Sequence, residues 1–282
     1  MKTNLSAVDT VTHASATVVC LHASGSSARQ WNGLIERMGH RARVVAPDFY
    51  GHGEAPTWNQ PRPLTLRDEA SRVLRLLAGS SRPVHLIGHS YGGAVALHIA
   101  LELPERVASL TLYEPVPFAT LFAYDAKNPA AAEVRSLADG IDRSLGTGHI
   151  EAAAERFVTY WSGVEAWRGL TGPQKTTIAS RMPAIDRHFK ALAADTARLD
   201  HYRQLGMPTL LLAGARTKAS TRRLTELLSY GLPAVLTQTL DGLDHMGPVT
   251  ATAMVNDRIE PFLAQQISSV PESARHLRSA AA

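Results

Sequence analysis

Six short apolar runs, set between longer stretches of helical spacing, constrain the fold of this chain more than any other feature. They are 16–22 (ATVVCLH), 42–47 (ARVVAP), 83–88 (PVHLIG), 107–113 (VASLTLY), 208–214 (PTLLLAG) and 234–240 (AVLTQTL). All are short, rich in β-branched residues and nearly continuous in apolar side chains, as strands covered on both faces are. Helical patterns lie at 28–38, 66–78, 91–103, 219–230 and 250–266. This alternation predicts an α/β fold, a mostly parallel central sheet with helices on both faces. Only one further short strand fits before the first run.

Between about Pro117 and Leu205 the rhythm changes to helix after helix. AAEVRSLADGIDRSL, HIEAAAERFVTYW, GPQKTTIASRM and IDRHFKALAAD follow one another with no strand between them. The expected organisation is a core from 1–116 and 206–267, a helical cap from 117–205 over one end of the sheet, and a flexible polar tail from 268–282.

The stretch HLIGHSYGGAVALHIA (85–100) places Gly88, Ser90 and Gly92 in G-x-S-x-G spacing, after a strand and at the start of a helix. A serine on a sharp strand-to-helix turn needs neighbours without side chains, and the first turn of the helix aims N–H groups at whatever that serine attacks. The bland alternative is an incidental Gly-Ser turn. The strand before the motif and the helix after it favour Ser90 as a nucleophile.

With this motif the chain resembles the α/β-hydrolase family over essentially its whole length. VVAPDFYGHGEA (44–55) is similar to the segment after the preceding strand, with Asp48, Gly51, His52 and Gly53 in place, and the resemblance makes His52 structural. LHASGSSARQW (21–31) resembles the family's oxyanion loop, with Ala23 where glycine is usual. The implied oxyanion donors are the amide of Ser24, or of a residue beside it, and the amide of Tyr91. The resemblance also implies that His245, in LDGLDHMGPV (240–249) after the last strand, is the base that activates Ser90.

The third member of such a site departs from the common pattern. An acid must hold the imidazole in its working tautomer. In most members it follows the strand after the cap, yet that loop (LLLAGARTKAS, 210–220) has Thr217 at the usual position and no acid from Gly214 to Arg223. A subset of the family carries the acid at the end of the strand after the nucleophile, which is Glu114 here, in LTLYEPVPF. Alternatives stay open: Glu114 could pair with Arg216, and Asp241 and Asp244 are rival acids.

Ala23, Phe118, Phe122, Trp161 and Met246 are candidates to line an apolar substrate pocket; the cap aromatics, Phe157, Tyr160, Trp167 and Phe189 among them, either line it or pack the cap helices together, and packing is the commoner case for each. The expected reaction is hydrolysis of a small to medium hydrophobic carboxylic ester, whose partners are an acyl substrate and water. Lactone, thioester, amide and carbon–carbon hydrolysis use the same constellation, and a low-turnover ligand-binding homologue is the reading from another class. No cofactor is needed for this chemistry. The net charge of +4 is spread without a dense basic run, which argues against nucleic acid as a partner. Cys20, the one cysteine, lies in a strand pattern, so no internal disulfide is available. With no secretory h-region and no apolar span, the expected location is the cytoplasm.

Overall fold

A computed structural model describes residues 7–10, 16–78 and 82–269. Seven strands, β1 (Ala7–Asp9), β2 (Thr17–Leu21), β3 (Arg43–Pro47), β4 (Val84–His89), β5 (Val107–Tyr113), β6 (Thr209–Gly214) and β7 (Val235–Leu240), form one sheet in the order β1-β3-β2-β4-β5-β6-β7. Every pairing is parallel except that of β1 with β3. The six apolar runs are therefore β2 to β7, and β1 is the short strand for which room remained.

The period of two along the central strands sorts their side chains onto two cores. Val19, Leu21, Leu86, Leu110, Leu112 and Leu211 enter one. Val18, Cys20, Val44, Ile87, Leu210 and Leu212 enter the other. On the first face lie α2 (Leu66–Leu76) and α3 (Tyr91–Glu102), whose buried Val73, Val95 and Leu97 join that cluster. Leu34 and Met38 of α1 (Asn32–Met38) close the opposite face. Strand β7 departs from the apolar pattern: its Leu236 is 52% exposed, because β7 is an edge strand and part of one face is open.

Six helices separate β5 from β6: α4 (Phe118–Tyr124), α5 (Pro129–Gly146), α6 (Ile150–Ser162), α7 (Val164–Arg168), α8 (Gly172–Ala194) and α9 (Leu199–Tyr202). Two of the four helical stretches read from the sequence merge, since α8 runs straight through Pro183. A proline inside a helix costs roughly 3 kcal/mol. Here Pro183 faces solvent while Met182, Ile185, His188 and Phe189 are buried, and that packing holds the helix together. After β6 come α10 (Ala219–Gly231), the single turn α11 (Gly247–Thr250) and α12 (Thr252–Ser268), which adds Val255, Ile259 and Leu263 to the second core. Helix α12 takes in the first residue of the expected tail, and residues 270–282 lie outside the described residues, as do 1–6 and 11–15.

Candidate active site

Ser90 stands at the junction of β4 and α3 with φ 55° and ψ −115°, a conformation that L-residues adopt only under constraint. Two neighbours explain the glycine spacing. A Cβ on Gly92 would lie 2.2 Å from the Leu21 carbonyl oxygen, and one on Gly88 would lie 2.5 Å from the Gly92 carbonyl oxygen. Strand β2 can touch the elbow only because Gly92 has no side chain, and the first turn of α3 can lie against the end of β4 only because Gly88 has none. The turn is pinned by Ser90 N–H donating to the Tyr113 carbonyl at 3.0 Å.

Glu114 follows β5 immediately and is the second non-glycine residue with positive φ, at 42°. Its carboxylate is fully buried and meets three donors. Oε1 accepts from the Gly214 N–H at 2.8 Å. Oε2 accepts from the Thr217 hydroxyl at 2.6 Å and from His245 Nδ1 at 2.7 Å. With Nδ1 protonated, His245 Nε2 is left to accept from Ser90 Oγ, 2.9 Å away. Ser90, His245 and Glu114, 155 and 131 residues apart along the chain, thus form one hydrogen-bonded line.

The rival acids stand elsewhere. Asp241 is exposed, and Asp244 Oδ1 takes the Met246 N–H at 2.9 Å. Arg216 is exposed as well and does not pair with Glu114; its backbone N–H donates to Leu243. Thr217, at the position where an acid is usual, supports the carboxylate of Glu114 and is itself bonded to Thr221.

Two further contacts hold the His245 loop. Tyr113 Oη donates to the Asp244 carbonyl at 2.7 Å, and His89 Nε2 donates to the His245 carbonyl at 2.8 Å. His89 Nδ1 then accepts from Gln30 Nε2 at 3.1 Å, and Gln30 Oε1 accepts from the Ala23 N–H at 3.2 Å. The G-x-S-x-G spacing leaves the identity of His89 open. In the structure it ties the His245 loop to the loop at 21–31. Burial, with His245 close by, holds its pKa well below the ordinary range, so it stays a neutral bridge.

The same bookkeeping identifies the free amide of the 21–31 loop. Ala23 N–H is taken by Gln30, and Gly25 N–H donates to His52 Nε2 at 2.9 Å. Between them the Ser24 N–H has no acceptor among the described residues. Tyr91, first residue of α3, presents an N–H with no intrahelical acceptor. His52 and His22 serve the loop structurally: His22 Nε2 accepts from the Phe49 N–H, and burial lowers the pKa of His22 to about 4 and that of His52 to about 3.

A cavity of about 460 Å³ opens above this line of residues, within the usual range for a small-molecule site. Ser90, His245 and Tyr91 form its floor, with Ala23 to Ser27 on one side. Phe118, Phe157, Trp161, Phe189, Leu192 and Met246 belong to its apolar wall. Of the pocket candidates, Ala23, Phe118, Trp161 and Met246 line it. Phe122 does not: it packs beside Phe118, and the Arg135 guanidinium covers its ring at 4.4 Å. Tyr160 and Trp167 are also outside the wall, Tyr160 being bonded to Ser220 at 2.7 Å.

Helix α6 reaches the Ser90–His245–Glu114 line, and α8 reaches Tyr91 and the 21–31 loop. The Trp161 ring stacks on the His245 imidazole with centroids 3.9 Å apart. His188 stacks on Tyr91 at 3.7 Å, and its Nδ1 meets Ser24 Oγ at 2.9 Å. These contacts had no local signal in the sequence, since each joins residues far apart in the chain. Among the described residues no group of His, Cys, Asp or Glu is arranged to hold a metal ion, and no helix is long and apolar enough to cross a membrane.

A serine, an imidazole and a carboxylate in hydrogen-bonded order, at the C-terminal edge of a parallel sheet and under an apolar cavity, is the arrangement nucleophilic-serine chemistry requires. Residues 18–258 match the alpha/beta hydrolase family, and the chain belongs to it. It is 32% identical to the lipase LipV of Mycobacterium tuberculosis over 152 residues, 53% of each protein. The chain spans about half the length, or less, of several curated relatives it matches. A longer match, 27% identical over 263 residues and covering 88% of this chain and 94% of the relative, is to the pimeloyl-[acyl-carrier protein] methyl ester esterase of Methylococcus capsulatus. Among solved structures, an esterase from Thermogutta terrifontis superposes with a TM-score of 0.72 at 23% identity, covering 93% of both chains, and so shares the fold.

Proposed function

We propose that this protein is a serine hydrolase that cleaves carboxylic esters through an acyl-enzyme, with Ser90 as nucleophile, His245 as base and Glu114 as the orienting acid. The observation that carries the reading is the unbroken line Ser90 Oγ–His245 Nε2 and His245 Nδ1–Glu114 Oε2, at 2.9 and 2.7 Å. Ser90 Oγ attacks the ester carbonyl carbon while its proton passes to His245 Nε2. The Glu114 carboxylate stabilises the imidazolium that results. The carbonyl oxygen, now negative, is received by the Ser24 and Tyr91 amides. As the ester C–O bond breaks, His245 returns the proton to the departing alkoxide. Water, deprotonated by the same imidazole, then cleaves the acyl-enzyme and restores Ser90.

Within this reading, 1–116 and 206–267 act as the catalytic core and 117–205 as a cap that walls the substrate site. The apolar wall of Phe118, Phe157, Phe189 and Leu192 favours a small to medium hydrophobic ester. Thr217 does not weaken the enzyme reading, because its hydroxyl donates to Glu114. A fluorophosphonate probe tests the proposal: it should label the wild type and leave Ser90→Ala unlabelled. Labelling that persists in Ser90→Ala, or none in the wild type, overturns it. A panel of esters, lactones and thioesters of graded chain length then separates ester hydrolysis from its neighbours in chemistry.

A further inference from the structure

Among the side chains that line the cavity there is one permanent charge, Arg181 of α8, and no aspartate or glutamate. Several other cations of the chain are matched, Arg62 by Asp68, Arg223 by Asp125, Arg43 by Asp9 and Lys190 by Asp142 and Asp186, and others among the described residues are not; Arg181 differs in that it lines the cavity. Arg181 has no carboxylate within ion-pair distance among the described residues. One of its N–H groups, on Nη1, donates to the Gly25 carbonyl at 2.7 Å, and the remaining donors have no acceptor among the described residues. The half-buried guanidinium therefore sits on the 21–31 loop, one residue from the Ser24 amide, beside an apolar wall.

The surroundings at that corner are polar. Ser26 and Ser27 line the cavity there, and neither hydroxyl has a partner among the described residues. The histidines behind it are kept neutral, chiefly by burial, and the charge of Arg181 adds to the cause for His22 and His52. A half-buried guanidinium with donors left over, beside serine hydroxyls at the edge of an apolar wall, is a fitting partner for a planar anion.

Building on the ester-hydrolase reading above, we propose that Arg181 is a specificity determinant that binds a carboxylate of the substrate, so that the preferred substrate is a monoester of a short dicarboxylic acid. The short spacing follows from the loop: the guanidinium is anchored on Gly25, and the Ser24 amide beside it receives the scissile carbonyl oxygen. The apolar wall then holds the carbon chain and the alcohol portion.

The test compares hydrolysis of the monoethyl esters of succinate, glutarate and adipate with ethyl esters of uncharged acids of matched length, followed by proton release. In wild type, kcat/KM for the best monoanion should exceed that for its neutral counterpart by roughly tenfold to a hundredfold, as expected for a charge-assisted hydrogen bond. In Arg181→Met that ratio should fall to about one, mainly through KM for the anion. Arg181→Lys should recover part of it, since the charge remains and the fork is lost. A wild type that favours the neutral esters overturns the assignment. So does an Arg181→Met variant in which both classes fall together, since that would make Arg181 only a brace for the loop. If neutral esters are cleaved and Ser90 is labelled without any preference for anions, the Arg181 assignment alone fails. If Ser90 is unlabelled and no ester is cleaved, the hydrolase reading falls and takes this inference with it.

Discussion

Replacing Glu114 by glutamine keeps the volume of the side chain and removes only its charge and one acceptor. The site offers the new amide no good orientation. With its nitrogen in place of Oε2, the amide donates to His245 Nδ1, and the imidazole proton moves to Nε2, where Ser90 Oγ needs a lone pair. With its nitrogen in place of Oε1, two donors face each other across the 2.8 Å now spanned by the Gly214 N–H bond. Leaving a buried donor unmatched costs about 1–3 kcal/mol, so the first orientation, with the wrong tautomer, is favoured. In the proposed mechanism the positive charge on His245 in the transition state also loses its counter-ion. Together these effects should lower kcat by about 10³–10⁴-fold, or roughly 4–5.5 kcal/mol, with KM little changed. The assay is steady-state hydrolysis of p-nitrophenyl esters, alongside circular dichroism to show that the fold is kept. Asp241→Asn serves as the control and should stay within about twofold, a surface substitution away from the site having little effect. A Glu114→Gln variant within tenfold of wild type, or a severe loss in Asp241→Asn, refutes the assignment.

Four other expectations follow from particular contacts. Thr217→Val removes one donor to Glu114 at nearly constant volume and should lower kcat by about tenfold, the worth of a hydrogen bond to a charged group. Gln30→Leu breaks the link from the Ala23 N–H to His89 and should lower kcat on esters more than it raises KM, as pre-steady-state acylation rates would show. Ser90→Gly relieves a strained φ of 55° and should raise stability by about 1 kcal/mol in urea denaturation while abolishing turnover; a loss of stability would show that the turn is not strained. The pH dependence of stability has a worked sign. Burial raises Glu69 to about 8, so the folded state keeps a proton that the unfolded chain releases near 4.5, and stability falls as pH rises between those values. His22, His52 and His85 are lowered to about 4, 3 and 4, and their contribution is lost as pH falls below 6.5. Stability should therefore peak near pH 6.5, and Glu69→Gln should remove most of a decline of roughly 2 kcal/mol between there and pH 8, measured by denaturation at each pH.

The fold was legible because its signals are local. Apolar runs and helical spacing repeat within a few residues, and each of β2 to β7 begins and ends within a residue of its run. The order of strands in the sheet, the exposure of β7 and the passage of α8 through Pro183 were not legible in the same way. They depend on what each element packs against. Phe122 reads as a wall residue in the sequence and packs against Phe118 and Arg135 in the structure, because an aromatic in a helix reads the same whether it faces a cavity or a neighbour.

The amino-acid sequence by itself determined the strands and helices and the elbow at Ser90, and its resemblance to a family supplied the positions where a base and an acid could stand. Glycine spacing and strand ends are properties of neighbouring residues; with no acid around Thr217, it is the resemblance to a subset of the α/β-hydrolase family that implies Glu114. Only the tertiary structure decided what Glu114 meets: the Gly214 N–H, the Thr217 hydroxyl and His245, gathered from 100, 103 and 131 residues away. It likewise left Ser24 as the free amide, by engaging both neighbours, and laid Trp161 on the imidazole. Contacts over such separations are set by the packing of whole elements, and no window of neighbouring residues carries them.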